Sequence, residues 1–121
     1  MAKHTLSVTV ENKPGVLTKV ATLFRRRGYN IDSLTVGRTE SSEVSRMTIV
    51  VEGDDRIIEQ VTKQLHKLVE VIKIIDITQD KAVERELSMI KVRADNTVRA
   101  EIVQIVDIFR ARIVDIGKNS L

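Results

Sequence analysis

The chain contains no cysteine and no tryptophan, and has one proline, one tyrosine and two phenylalanines among its 121 residues. Without cysteine, disulfides, thiolate nucleophiles and cysteine-ligated metal sites are excluded. So few aromatics also argue against single-stranded nucleic-acid binding, in which bases stack on aromatic side chains of a sheet. No apolar run reaches the roughly 18 residues of a membrane span. Met1-Ala2-Lys3-His4 passes straight into a strand pattern with no signal-peptide core, so a cytoplasmic protein is expected. The net charge of +3 is modest. The one dense basic cluster, Arg25-Arg26-Arg27, falls at a predicted helix end, where cations complement the helix dipole.

What is present is the composition of a globular chain, 42% hydrophobic and 31% charged, long enough for one domain or one domain plus a fragment. Leu6, Val8 and Val10 alternate with Ser7 and Thr9, which predicts a strand over Thr5–Glu11. Val16, Val20, Leu23 and Phe24 follow helical spacing, with Leu17 at the edge of the stripe, and predict a helix over Gly15–Arg27. Pro14 suits the first turn of that helix and Gly28 its end. Further strands are expected over Asn30–Thr39, Val44–Glu52 and Val69–Thr78, with a second helix capped at Gly53-Asp54-Asp55 and running to Lys67. The order βαββαβ is a ferredoxin-like α+β arrangement. The last strand is apolar at nearly every position, which predicts cover on both faces. With both helices on one face, its other side would be an exposed apolar patch, and a homodimer is inferred from it.

The opening pattern then returns. Glu86-Leu87-Ser88-Met89-Ile90-Lys91-Val92 resembles Thr5–Val10, and Glu101–Arg110 parallels Val16–Arg25. Ile113-Val114-Asp115 stands where Asn30-Ile31-Asp32 stood. The expected division is a complete domain over 1–79 and the first βαβ part of a second ferredoxin-like domain over 80–121. Half a unit buries its helix poorly, so it either borrows strands or belongs to a longer protein, and the second is preferred.

No nucleophile–base set is apparent. His4 and His66 have no cysteine, Gly-x-Ser-x-Gly turn or carboxylate motif beside them. No metal spacing or phosphate-binding glycine motif occurs. The constellation that remains is Asn12 to Leu17. It reads either as a plain strand-to-helix turn or as an anion-ready helix start, with unpaired amides at Gly15, Val16 and Leu17. In the second reading the Asn12 amide oxygen accepts from an ammonium group, helped by a backbone carbonyl near Asn30 or Ile31. Val16, Ile31 and Val36 then surround a short aliphatic side chain. Together these groups describe an apolar α-amino acid.

Glu11-Asn12-Lys13-Pro14-Gly15-Val16-Leu17, Arg27 to Val36 and Ser45-Arg46-Met47-Thr48-Ile49 closely resemble the small regulatory subunit family of acetolactate (acetohydroxyacid) synthase. Lys63–Leu68 and Glu84–Leu87 fit it as well. The resemblance implies an ACT domain that dimerises and binds valine or a related branched-chain amino acid at the dimer interface. It implies activation and feedback inhibition of a separate large catalytic subunit in branched-chain amino-acid biosynthesis, with no catalysis by this chain. Thiamine diphosphate, FAD and Mg²⁺ are then expected on that partner, and no cofactor, metal, nucleic acid or membrane on this chain. Carried over by position, the effector site falls on Asn12, Gly15, Val16, Leu17, Asn30, Ile31 and Val36, with Thr35 and Gly37 nearby. Asn30 and Ile31 would serve the neighbouring chain's ligand. The rival readings are an amino-acid-sensing module of another enzyme or regulator, and a small enzyme on the same scaffold.

Overall fold

The computed structural model describes residues 2–121, which fall into two compact units, the first ending at Val83 and the second spanning Glu84–Leu121. In the first unit β1 (Lys3–Glu11), α1 (Val16–Arg27), β2 (Ile31–Arg38), β3 (Val44–Glu52), α2 (Asp55–His66) and β4 (Val71–Asp76) follow the ferredoxin-like order. The sheet is antiparallel throughout its ladders, in the order β2-β3-β1-β4, so β1 is central and β2 and β4 are edges.

Alternation in β1 and β3 puts Leu6, Val8 and Val10 beside Met47, Ile49 and Val51 on the helix-covered face, all buried. Val16, Val20 and Phe24 of α1 and Ile58, Val61 and Leu65 of α2 close that core. Leu23 packs at its margin and Leu17 is exposed. At the start of α2, the Asp54 carboxylate accepts from the Ile57 N–H at 2.9 Å and Asp55 sits in the first turn. This is a side-chain cap with a matching charge.

β4 corrects the expectation of cover on both faces. Ile72 is 54% and Ile75 40% exposed, because Ile75 lies beside Ser7 on the face that no helix covers and Ile72 falls in a bulge, while Val71 and Ile74 pack on the core. The open face of the sheet is also less apolar than expected. Its central rows carry Ser7, Thr9, Thr35 and Thr48, so an apolar patch no longer supports a dimer by itself.

In the second unit the repeat is only partly realised. α3 (Arg99–Ile108) forms where the repeated helix was expected, but the segment over Glu86–Val92 is not a strand. Pairing is confined to its end, where a β-bridge joins Arg93 to Ser120 and Val92 exchanges backbone hydrogen bonds with Leu121 at 3.0 and 3.1 Å, too short a contact to make a ladder. The Arg99 guanidinium holds this unit together by donating to the carbonyls of Ala94, Gly117 and Lys118 at 2.7–2.9 Å. The Thr97 hydroxyl and N–H donate to Asp95 just before the helix.

Candidate functional site

The β1–α1 connection is built by its proline and glycine. Val16 N–H donates to the Lys13 carbonyl at 3.4 Å across Pro14-Gly15, and Gly15 has φ 85° and ψ −7°. Proline followed by a glycine at positive φ is the signature of a type II turn. Pro14 therefore lies in the turn ahead of the helix rather than in its first turn. Gly15 is the N-cap in left-handed conformation, which a glycine adopts without steric penalty.

A glycine cap supplies no side-chain acceptor, and α1 has no acidic residue in its first turn. The Gly15 and Leu17 N–H groups have no hydrogen-bond partner among the described residues. Val16 is different, since its amide serves the turn and its side chain, 5% exposed, belongs to the core. The positive end of α1 is thus left open, whereas that of α2 is closed by Asp54 and Asp55. Nothing lies within 4 Å of where a Gly15 Cβ would stand, so the space on that side of the Gly15 backbone is open.

Asn12 is anchored beside this turn. Its backbone N–H donates to the Glu43 carbonyl at 2.8 Å and its side-chain Nδ2 to the Ser42 carbonyl at 2.9 Å. The amide oxygen is left as the acceptor. Glu11, Asn12, Lys13, Ser42, Glu43, Val44 and Ile72 line an open depression of about 490 Å³. Sequence reasoning missed Ser42, Glu43 and Ile72. Ile72 is the unpaired residue of a bulge, since Thr9 faces Lys73 while Val10 faces Val71, and such a kink carries no local signal. It also missed Glu70, whose carboxylate pairs with Lys19 in α1. The Lys19 ammonium and Glu70's own backbone N–H hold that carboxyl below its ordinary range.

The remaining candidates do not join this group within one chain. Ile31 pairs with Val51, which pairs with His4, whereas Glu11 pairs with Val44 at the other end of the sheet. From His4 to Glu11 is seven residue steps along β1, roughly 23 Å. Asn30 is exposed and Ile31 half-buried at that far end. Val36, facing Met47 and 41% exposed, lies nearer Asn12, as do Thr35 and Gly37. The single-chain pocket of Asn12, Gly15, Asn30 and Ile31 is therefore not formed; the strand that begins at Ile31 runs parallel to β1, so its start lies far from the end of β1.

The histidines separate. His66 is exposed at the last position of α2. His4 has the carboxylates that its sequence neighbourhood lacked: Asp76 Oδ2 lies 3.0 Å from Nδ1 and Asp55 Oδ1 lies 3.7 Å from Nε2. Among the described residues no three His, Asp or Glu stand together as a metal would need, and no helix is long and apolar enough to cross a membrane.

The AHAS small subunit-like ACT domain family matches residues 6–73, and the family described as the small subunit of acetolactate synthase matches residues 85–121. A probable acetolactate synthase small subunit of Archaeoglobus fulgidus is 63% identical over 118 residues, spanning 98% of this chain and 74% of that protein. The small subunit of Mycolicibacterium smegmatis is 58% identical over 118 residues, 98% of this chain and 69% of that protein. Among solved structures, the acetolactate synthase small subunit of Thermotoga maritima superposes with a TM-score of 0.81 at 39% identity, covering 99% of this chain and 75% of that one. The ACT domain of a GTP pyrophosphokinase from Chlorobium tepidum, at 10% identity and a TM-score of 0.56 over 70% of this chain and 92% of its own, shares the fold. With an uncapped glycine turn leading into α1 and two family profiles matching along its length, this chain belongs to the family of acetolactate synthase small subunits and carries its ACT domain.

Proposed function

We propose that two copies of this chain pair through their ACT domains and bind valine, or a related branched-chain amino acid, at the junction. The complex then activates and feedback-inhibits a separate large catalytic subunit in branched-chain amino-acid biosynthesis. The observation that carries the reading is the splitting of the candidate site between opposite ends of one sheet. β2 is an edge strand parallel to β1, with one side unpaired. Antiparallel pairing of two β2 edges reverses one copy against the other. Asn30 and Ile31 of each chain then approach the Asn12–Leu17 turn of its neighbour. The Gly15 and Leu17 amides receive the ligand carboxylate, the Asn12 oxygen its ammonium, and Ile31 and Val36 its side chain.

The coupling is linkage. An effector that binds one arrangement of the dimer more tightly draws the catalytic complex toward it, with a coupling of about 1–3 kcal/mol in such systems. Thiamine diphosphate, FAD and Mg²⁺ reside on the large subunit in this reading, and the present chain performs no catalysis of its own.

Calorimetric titration with valine, leucine and isoleucine tests the pocket. Gly15→Asp places a carboxylate where the ligand's own must sit, in a backbone conformation that aspartate tolerates better than most residues. Valine binding should be lost in Gly15→Asp and largely kept in Gly15→Asn, which has the same shape without the charge. Equal affinity in wild type and Gly15→Asp would disprove the assignment.

A further inference from the structure

Two lysines stand at the open start of α1, and each is already tied to a carboxylate. Lys13 precedes the Pro14-Gly15 turn, and its ammonium pairs with Glu11 at 3.0 Å. Lys19 lies one turn into the helix, its N–H donating to the Gly15 carbonyl at 3.0 Å. Helical side chains lean toward the N-terminus, so the Lys19 side chain extends back along the first turn. There it meets the Glu70 carboxylate. The Glu70 backbone is fixed in turn, because its carbonyl accepts from the Glu11 N–H at 2.9 Å, next to Asn12. The Glu70 side chain is 17% exposed. The hydrogen bond from Lys19, ahead of Glu70's own backbone N–H, holds that carboxyl below its ordinary range, so it stays ionised at neutral pH. Glu43, whose carbonyl accepts from the Asn12 N–H, adds an exposed carboxylate with no ion-pair partner among the described residues.

The surroundings of the open amides are therefore neutral to slightly negative, and neither lysine is free to meet a bare anion. A 2-oxo acid carries one net negative charge, which the helix end alone would have to balance. A zwitterionic amino acid carries none. Its carboxylate takes the Gly15 and Leu17 amides while its ammonium takes the Asn12 oxygen. Charge must make this distinction, because an apolar pocket reads only the side chain that the two ligands share.

We infer that Glu70, by engaging Lys19, makes the site select a branched-chain amino acid over the 2-oxo acid of the same carbon skeleton. This rests on the amino-acid site proposed above. Glu70 acts through Lys19 and is a specificity-determining residue: it withholds a cation that would otherwise reward any small carboxylate.

The test is calorimetric titration of the full chain with valine, leucine and isoleucine and with the 2-oxo acid of each skeleton, 3-methyl-2-oxobutanoate for valine. Wild type should bind its best amino acid at least about tenfold more tightly than the matching oxo acid, the ammonium–Asn12 bond being charge-assisted. Glu70→Gln frees Lys19 with little change of shape. It should narrow that ratio about three- to fivefold by strengthening oxo-acid binding, and by less at high salt. Lys19→Gln/Glu70→Gln loses the same ion pair but restores neutrality, so its ratio should return to that of wild type. A purely structural role for the pair would move the ratio equally in both variants, and that result overturns the inference. So does an unchanged ratio in Glu70→Gln, or a wild type that binds both ligands equally; in each case the amino acid still binds and the proposed site stands. If wild type binds none of the three amino acids, the proposed site and the inference fall together. Circular dichroism establishes folding, and Glu11→Gln, which frees Lys13, carries the same test if Glu70→Gln does not fold.

Discussion

The two units of this chain begin from nearly the same sequence pattern and reach different ends. Thr5–Val10 and Glu86–Val92 share an alternation, and each is followed by an apolar helix. In the first unit the segment becomes the central strand, with β3 and β4 hydrogen-bonded on either side and two helices over it. In the second it forms no strand, and Ala94 is the one buried hydrophobic residue of the unit. Leu87, Met89 and Ile90 are each more than three-quarters exposed. Alternation therefore specifies which face a strand would bury, while the strand itself depends on neighbours that close its backbone hydrogen bonds.

The comparison can be broken at its strongest point first. Phe24→Ala removes a ring from the closed core, where Phe24 is 2% exposed and meets Tyr29 edge-on at 6.1 Å. It should cost about 3–5 kcal/mol, read as a fall in the urea midpoint of the first unit. Next, Arg99→Ala tests whether the second unit depends on one guanidinium rather than on a core. The loss of its hydrogen bonds to three carbonyls should cost about 1.5–3 kcal/mol, seen as faster hydrogen exchange at Ala94 and Leu121 with the first unit unchanged. Unchanged exchange there would mean that the unit is held by something else.

A smaller effect is expected at α2. Asp54→Ala removes the side-chain cap and should cost about 1 kcal/mol, whereas substituting Thr18 in uncapped α1 should cost less.

The smallest effect is the acid response of the β1–β4 edge. Burial acts to raise the Asp76 carboxyl, but donors from the Thr78 hydroxyl and N–H and from His4 outweigh it and hold it below the ordinary value. A carboxyl whose folded pKa is depressed contributes stability above its unfolded pKa of about 4, and that stability is lost as pH falls through the folded value. Asp76→Asn should therefore flatten the acid limb of a thermal-stability profile by lowering its neutral plateau slightly, with stability at the acid end little changed.

Much of the first unit was legible in the sequence because its signals are local. Leu6, Val8 and Val10 alternate, Val16, Val20 and Phe24 repeat helically, and Asp54 and Gly28 mark ends; each element lies within two residues of its expected bounds. Pro14 was misplaced because proline serves equally in a helix first turn and at the second position of a type II turn. Its assignment depended on the positive φ of Gly15, which no residue letter displays.

The sequence by itself determined the buried faces of β1, β3 and the two helices and the βαββαβ order. Only the tertiary structure decided that Asn12 and Gly15 lie about a sheet's length from Asn30 and Ile31, that the Val16 amide serves a turn, and that the repeated segment at Glu86–Val92 forms no strand. The reason is physical. Periodicity and capping are read over one to four residues, whereas strand order, bulges and the fate of each backbone N–H depend on which distant segment lies alongside.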